Sequence, residues 1–209
     1  MNRINPCKYA SAVVLGNGDF PKNEFPLQIL KNAESVTVCD GAANEFVARG
    51  GKPDVIIGDG DSLDSGLRER LKDIFVHISE QETNDQTKAV TFLSKKGVRD
   101  IAILGATGKR EDHTLGNISL LVEYFKAGLN VRIFTDYGVF VVAEGETTFE
   151  TRPGKQISVF NFGCTQMQSE NLKYPLYPLA NWWQGTLNEA VADTFTLRTD
   201  GIFMIFAQY

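Results

Sequence analysis

Three features are scarce in this sequence: cysteine, long apolar runs and clustered positive charge. Only three cysteines occur among the 209 residues, Cys7, Cys39 and Cys164, and no two of them form a C-x-x-C pair. Their odd number and wide spacing indicate neither a disulfide framework nor a thiolate zinc site. Buried, reduced thiols are therefore expected, as in a reducing compartment.

The other two scarcities bear on membranes and nucleic acids. No apolar run approaches the roughly 20 residues that a membrane helix requires, and the first residues, Met-Asn-Arg-Ile-Asn-Pro, lack the apolar segment of a secretory signal. A net charge of −5 disfavours non-specific nucleic-acid binding, which needs clustered Lys and Arg. We expect a cytoplasmic protein that binds neither membranes nor nucleic acids.

The composition that remains, 43% hydrophobic and 22% charged, is typical of a globular protein. In the first two thirds of the chain, short apolar runs alternate with helical patterns. The strand-like runs are Ala12–Leu15, Ser35–Cys39, Val55–Ile57, Phe75–Ile78, Ile101–Leu104 and Val131–Phe134. The helical patterns span 42–49, 83–96 and 112–126, and the second begins with Thr83 and Gln86 at capping-box spacing. This alternation predicts an α/β fold, with a doubly wound, mostly parallel sheet and helices on both faces.

The pattern changes near Tyr137, where helical periodicity disappears. Short β-rich stretches follow, at 139–142, 147–149, 156–160, 195–198 and 202–206, several of them separated by glycine-containing turns. They predict a small antiparallel β-sandwich. We therefore expect an α/β domain over residues 1–137 and an all-β sandwich domain over residues 138–209.

Carboxylates lie at or near the ends of the predicted strands. They are Asp40, Asp59, Asp61 and Asp136 directly after apolar runs or within a few residues of them, and Asp85 and Asp112 near helix starts. Ligands of an open parallel sheet bind outside the carboxyl ends of its strands. Carboxylates gathered there repel each other unless they share a cation, and Mg²⁺ takes oxygen ligands from a few carboxylates plus substrate phosphates. The pattern predicts a magnesium–nucleotide site.

Two segments carry most of this prediction. In Asp59-Gly60-Asp61-Ser62 the glycine permits a tight turn that could aim both carboxylates at one ion, although a simple polar turn has the same composition. In the loop from Gly105 to Arg110, glycines free backbone N–H groups to face an anion at a helix start, while Lys109 and Arg110 add positive charge. The loop lacks the G-K-[ST] ending of a Walker A motif, and a solvated basic turn is the alternative.

Other residues allow two interpretations each. His113 is a helix-cap or packing residue, or a catalytic base, whereas His77 lies in an apolar run and is expected to be structural. Asp85 and Lys88 share a helix face, either as a surface ion pair or as part of the site. Adjacent Trp182 and Trp183 suit a ligand cation, but also a core or a dimer interface.

The order of these motifs resembles the thiamin pyrophosphokinase family, which shows D-G-[GA]-A-N, then G-D-x-D-S, then D-x-T-D-x-x-K-A, then G-x-x-G-G-R-x-D-H-x-L-x-N. The matching segments here run from Asp40 to Asn44, Gly58 to Ser62, Glu82 to Ala89 and Gly105 to Asn117. The sequence departs from the family at Glu82 in place of aspartate, Asn84 in place of threonine and Lys109 in place of the second glycine of G-G-R.

The resemblance in the second domain is carried by two segments. Residues 171–176 are similar to G-L-x-W-P-L, and residues 186–189 to the S-x-S-N-E segment, in which a hydroxyl meets the thiamin pyrimidine. Leu187 lacks that hydroxyl, so that Thr186 or Asn188 would have to serve instead.

The resemblance implies a homodimer with thiamin held between subunits, in which diphosphate passes from ATP to the thiamin hydroxyl and AMP is released. The catalytic residues would be Asp59, Asp61, Asp85 and Asp112, with magnesium on Asp40, Asp59 and Asp61. The ATP-binding residues would be Asp40, Asn44, Ser62, Lys88, Thr107, Gly108, Lys109, Arg110 and His113. The thiamin-binding residues would be Asn117, Trp182, Trp183, Thr186 and Asn188. Two other functions fit strand-end aspartates: a magnesium-dependent phosphatase with an aspartyl nucleophile, and a non-catalytic nucleotide-binding sensor.

Overall fold

The computed structural model describes residues 2–209, which divide into two compact units. One unit is Tyr9–Asp136, and the other combines residues 2–8 with Tyr137–Tyr209. The strands are β1 (Asn2–Ile4), β2 (Ala12–Leu15), β3 (Ser35–Cys39), β4 (Val55–Gly58), β5 (Phe75–His77), β6 (Asp100–Leu104), β7 (Asn130–Phe134), β8 (Gly138–Glu144), β9 (Thr147–Glu150), β10 (Gln156–Phe162), β11 (Met167–Glu170), β12 (Asn188–Glu189), β13 (Thr194–Thr199) and β14 (Ile202–Gln208). The α-helices are α1 (Glu24–Asn32), α2 (Ala42–Ala48), α3 (Ser65–Arg70), α4 (Asp85–Lys95) and α5 (Glu111–Lys126). Short 3₁₀ turns occupy Lys72–Ile74 and Trp182–Gly185.

The first unit is built on a parallel sheet with strand order β7-β6-β2-β3-β4-β5. All four residues of β2 and the last four of β3 and β6 are buried, since helices α1, α2, α4 and α5 pack against the sheet. Continuous apolar runs are what such covered strands require. The predicted α/β class with a parallel sheet is confirmed. Strand β2 lies between β3 and β6, which makes it the point at which the order of strands reverses.

Helix α4 begins later than the sequence predicts. Asn84 is the N-cap, because its backbone is extended and its side-chain oxygen accepts a hydrogen bond from the Thr87 N–H at 2.9 Å. The predicted capping box of Thr83 with Gln86 is wrong, since the Thr83 hydroxyl binds the Glu80 carboxylate instead. The sequence also gives no sign of α1, which has Pro26 in its first turn, where proline is tolerated.

The second unit contains two four-stranded arrays, ordered β1-β9-β13-β11 and β12-β10-β14-β8. Pairing is antiparallel except between β1 and β9. Their inner faces meet in an aromatic core, in which the Phe149 ring lies 5.0 Å from that of Phe195 and 6.1 Å from that of Phe203. The predicted C-terminal β domain is confirmed.

Strand β1 pairs with β9 of the C-terminal unit, whereas the sequence assigns residues 1–137 to the first domain. A three-residue strand with one partly buried side chain leaves no periodic signal that could reveal its partner. Among residues 2–209, none of the helices combines the length and apolar character needed to cross a membrane.

Candidate active site

A cavity of about 630 Å³ opens at the carboxyl ends of the parallel strands. Its walls come from the loops after β2, β4, β5 and β6, from the end of β3, and from the N-terminal parts of α4 and α5. The lining residues are Gly16–Gly18, Cys39, Asp59, Ser62, Gln81, Thr83–Gln86, Lys88, Ala106, Gly108–Arg110, Asp112, His113, Gly116 and Asn117. Most of the predicted ATP-site residues are thus brought together at one rim of the sheet.

One wall consists of two glycine loops packed main chain against main chain. The Gly18 N–H donates to the Gly105 carbonyl at 2.7 Å, and the Asp19 N–H donates to the Thr107 carbonyl at 2.8 Å. A Cβ at Gly18 would lie 2.2 Å from the Thr107 oxygen, so only glycine fits there. The sequence motifs assign residues 16–18 no role in the site. Gly16 and Gly18, two glycines separated by one residue directly after a strand, are a signal that could identify them.

Asp40 organises the loop after β4 from beneath. It is 1% exposed, and its Oδ2 accepts hydrogen bonds from the Gly60 and Ser62 N–H groups, both at 3.1 Å. Its Oδ1 is buried and has no hydrogen-bond partner among residues 2–209. Burial raises the pKa of the Asp40 carboxyl, and the negative charges of Asp85 and Asp59 raise it further. The three carboxylates are therefore close enough to influence one another.

Asp59 and Asp61 are separated by the turn between them. Gly60 adopts φ 86°, the left-handed conformation that the predicted tight turn requires. Asp59 lines the cavity, and its carboxylate accepts hydrogen bonds from the Gln81 side chain and the Asp61 N–H, both at 3.1 Å. These bonds, the one from Gln81 first, lower its pKa. Asp61 is exposed and does not line the cavity.

Lys88 and Asp85 form a buried pair rather than a surface one. The Lys88 side chain is 4% exposed, and its Nζ lies 3.3 Å from Asp85 Oδ1. Burial raises the pKa of Asp85, while the hydrogen bond and the charge of Lys88 lower it. The surface-ion-pair interpretation is therefore wrong, because the first turn of α4 faces the cavity and not the solvent.

The basic loop after β6 also lines the cavity. Lys109 has φ 59°, and its Nζ donates to Asn17 Oδ1 at 3.0 Å. The Arg110 guanidinium donates to both oxygens of Asp112, at 3.1 and 2.6 Å, which lowers the pKa of Asp112 to about 2. His113 is exposed at the rim, and therefore is not a packing residue.

Two predicted ligand-binding asparagines form hydrogen bonds within the protein. Asn117 donates to the Ala106 carbonyl at 2.8 Å and accepts from the Asn84 side chain at 2.9 Å, which ties the basic loop to the cap of α4. Asn44 donates to the Ser62 carbonyl at 2.8 Å and accepts from the Asp64 N–H at 2.9 Å. Asn117 lines the cavity, whereas Asn44 supports the loop from behind.

Three further residues singled out in the sequence do not line the cavity. Asp136 does not join the other carboxylates, since its Oδ1 accepts hydrogen bonds from the Lys22 and Asn23 N–H groups at 2.8 and 2.9 Å and so anchors the start of α1. The Thr107 side chain does not line the cavity. His77, at the edge strand β5, is exposed and 6.2 Å from the Phe75 ring, although the apolar run suggested a structural residue.

The predicted thiamin-binding residues of the C-terminal unit surround the 3₁₀ turn at Trp182–Gly185. Trp182 and Trp183 are 47% and 73% exposed, which excludes the core interpretation. Asn188 is buried, with its amide bonded to the N–H and the carbonyl of Tyr174 at 3.1 and 2.7 Å. The Thr186 hydroxyl donates to the Trp183 carbonyl at 2.7 Å. The Trp182 ring lies 6.1 Å from that of Phe160 and 5.4 Å from that of Phe162, and both tryptophans keep exposed side-chain surface.

No group of three or more His, Cys, Asp or Glu side chains within residues 2–209 is arranged to hold a metal ion. The carboxylates of Asp40, Asp59 and Asp85 are nevertheless related, since the charges of the latter two raise the pKa of Asp40. Hard carboxylate oxygens are the donors that Mg²⁺ prefers, and Mg²⁺ rarely takes all of its ligands from the protein.

Comparison with known protein families gives two matches. Residues 27–133 match the family model described as "Thiamin pyrophosphokinase, catalytic domain", and residues 138–206 match "Thiamin pyrophosphokinase, substrate-binding domain". The first match alone spans half of the chain, and it contains every carboxylate of the cavity.

Individual relatives match this chain by sequence over only part of its length. Thiamine pyrophosphokinase 1 of Oryza sativa subsp. japonica is 36% identical over 92 residues, which cover 39% of this chain and 33% of the relative. Thiamine pyrophosphokinase of Bacillus subtilis (strain 168) is 30% identical over 127 residues, covering 57% and 59%. The matched region thus spans less than two thirds of either relative. The crystal structure of yeast thiamin pyrophosphokinase superimposes with a TM-score of 0.82 at 18% identity, covering 99% of this chain and 90% of that one, which shows a shared fold.

Proposed function

This chain belongs to the thiamin pyrophosphokinase family, and we propose on that premise that it transfers a diphosphate group from ATP to the hydroxyl of thiamin, releasing AMP. The observation that carries the proposal is the cavity itself, which is lined both by the carboxylates of Asp59 and Asp85 and by the cations Lys109 and Arg110. Phosphoryl-type transfer needs positioning and charge neutralisation more than covalent help from the protein. The cavity offers both.

The ATP phosphates are proposed to bind the loop after β6. Gly108 has φ 82°, and the loop leads directly into the sixteen-residue helix α5. Backbone N–H groups at a helix start and its positive dipole end favour an anion. Lys109 and Arg110 at the same wall supply two cations, and Ser62, Lys88 and the exposed His113 lie around the same cavity.

Magnesium is proposed to accompany the phosphates. The buried, unpartnered Oδ1 of Asp40 and the carboxylate of Asp59 are oxygen donors of the type that this ion prefers. Bound there with phosphate oxygens, the ion would neutralise negative charge on the transferring group. Asp61 stays a predicted ligand, because it follows Asp59 in the same turn but is exposed outside the cavity lining.

Asp85 is the proposed acceptor of the proton from the thiamin hydroxyl. Burial raises its pKa, which makes its carboxylate a stronger base than an ordinary aspartate. The Lys88 ammonium at 3.3 Å keeps that carboxylate ionised and in place. Asp112, with its pKa lowered by Arg110, is suited to orienting that guanidinium instead.

The C-terminal unit is proposed to bind thiamin and to form the dimer. The exposed faces of Trp182 and Trp183 suit a cationic ring. On β8, β10 and β14, Phe140 lies 4.6 Å from Phe206 and 6.4 Å from Phe160, on the face opposite the buried aromatic core. These partly exposed rings form an apolar patch of the kind found at protein–protein interfaces. The buried free thiols of Cys39 and Cys164 agree with a proposed cytoplasmic location.

The test is a single incubation with thiamin, ATP and magnesium. Equal amounts of AMP and thiamin diphosphate are expected. Phosphate release that does not depend on thiamin would instead indicate a phosphatase, and nucleotide binding without turnover would indicate a sensor. Neither alternative gains support from the family matches.

A further inference from the structure

Gln86, the second residue of α4, is a buried polar side chain that lines the cavity. It is 4% exposed, although it belongs to the first turn of a helix at the rim of the site. A buried glutamine has a donor group and an acceptor group to satisfy. The hydrogen-bond partners of these two groups therefore indicate the function of the Gln86 side chain.

Only the donor end of this side chain is engaged. Its Nε2 donates to the main-chain carbonyl of Asn117 in α5 at 3.2 Å. Its Oε1 is buried and has no hydrogen-bond partner among residues 2–209. A buried acceptor without a partner destabilises a protein by about 1–3 kcal/mol, so such groups are rare unless a ligand satisfies them.

The orientation of the amide follows from the same contact. Rotating the Gln86 amide by half a turn would place Oε1 against the Asn117 carbonyl, which would set two acceptors face to face. The carbonyl of Asn117 therefore holds Oε1 in the position where it lacks a partner. Within residues 2–209 neither Lys88 nor Tyr124 supplies one. Burial raises the pKa of the Tyr124 hydroxyl, which is near enough to the Gln86 amide for that contact to lower the pKa in part.

We propose that Gln86 Oε1 accepts a hydrogen bond from the exocyclic amine of an aminopyrimidine ring bound in the cavity. This inference rests on the proposed function, which supplies two such ligands: the adenine of ATP and the pyrimidine of thiamin. The exocyclic amine is the sole N–H donor of either molecule. Gln86 is thus a specificity-determining residue for an amino group over an oxo group at that ring position.

The experiment compares each substrate with its oxo analogue. ATP is compared with inosine triphosphate, and thiamin with oxythiamin, in the wild type and in the variant Gln86→Met. The wild type is expected to prefer the amino compound of one pair by about 10- to 100-fold in kcat/KM, the range that an unpaired buried acceptor produces. Gln86→Met, which keeps the length but loses both polar atoms, should lose most of that preference.

The two pairs of compounds identify the ligand, since Gln86→Met should change the preference only within the pair whose amine binds Gln86. Thr91→Ala, on an exposed position of the same helix outside the cavity lining, is the matched control and should leave both preferences unchanged. A preference that persists at both pairs in Gln86→Met would overturn the inference, as would a wild type that does not discriminate within either pair. The comparison in the wild type does not depend on the folding of any variant.

Failure of the proposed function gives a different result. A wild type that releases no AMP refutes the diphosphokinase activity, and the same four compounds are then compared by calorimetric binding. A lower Kd for one amino compound that is lost in Gln86→Met supports the role of Gln86 even then. Equal Kd values within both pairs overturn it.

Discussion

Lys109 combines a strained backbone with a charge at the cavity, and two substitutions separate these properties. Its φ of 59° lies in the left-handed region, and the family motif has glycine at this place. Lys109→Gly removes the ammonium group and also the backbone strain. Lys109→Ala removes the ammonium group but keeps the Cβ and therefore the strain.

The expected stabilities follow from the backbone. A non-glycine residue in this conformation is destabilised by roughly 1–2 kcal/mol, while glycine gives back about 0.5–1 kcal/mol through the greater freedom of the unfolded chain. Both variants lose the exposed hydrogen bond from Nζ to Asn17, so that this contribution cancels between them. The glycine variant should be the more stable of the two by about 0.5–1 kcal/mol, or roughly 1–4 °C in Tm for a chain of this length.

The expected kinetics follow from the charge. An exposed cation near phosphate contributes about 1 kcal/mol, so that each variant should raise the KM for ATP by about five-fold. The effect should be the same in both, because they lose the same ammonium group. The KM for thiamin should stay unchanged, since the proposal assigns Lys109 to ATP alone.

Thermal unfolding followed by circular dichroism and initial rates of AMP release are the two measurements. An alanine variant at least as stable as the glycine variant would refute the reasoning on strain. An unchanged KM for ATP in both variants would refute the placement of the phosphates. A KM that rises in one variant only would mean that the backbone of the loop, rather than the ammonium group, sets the affinity.

Three further predictions concern the same rim. Asp59→Asn should lower kcat by about 100-fold or more, as expected for lost electrostatic stabilisation, with Tm nearly unchanged because Asp59 is partly exposed; loss of folding would show that this aspartate is structural. Asn84→Ala should lower the free energy of unfolding by about 1–2 kcal/mol through loss of the α4 cap, measured by urea titration; an unchanged midpoint would contradict that role. The pKa of Asp112, about 2 in the wild type, should rise in Arg110→Met because the guanidinium no longer favours the ionised carboxylate; carboxyl ¹³C NMR titration checks this, and an unmoved titration would show that the pair is not formed in solution.

The strands and their polar ends could be predicted because their signal is local. A strand covered on both faces needs a continuous apolar run, and Ala12–Leu15 and Ile101–Leu104 provide such runs. Parallel strands joined by helices then bring their carboxyl ends to one edge of the sheet. The family motifs fall at those ends, so that most of the cavity was foreseeable from residue order alone.

The missed parts of the site depend on contacts that no local pattern records. Gln81 meets Asp59 across 22 positions, and Asn17 meets Lys109 across 92. Gln86 was interpreted as part of a capping box, since its spacing from Thr83 fits one. Asn84 is the cap instead, because its backbone is extended and its side chain accepts from the Thr87 N–H, and Gln86 lines the cavity.

The sequence by itself determined the α/β and β-sandwich classes, the family, and the set of polar residues at the strand ends. Only the tertiary structure decided which members of that set meet. Asp59 and Asp85 are close enough to Asp40 to raise its pKa, whereas Asp136 accepts hydrogen bonds at the start of α1, and Lys88 is buried instead of solvated. The reason is physical: a side chain's burial and partners are set by how separate loops pack against each other, and that packing has no period along the chain.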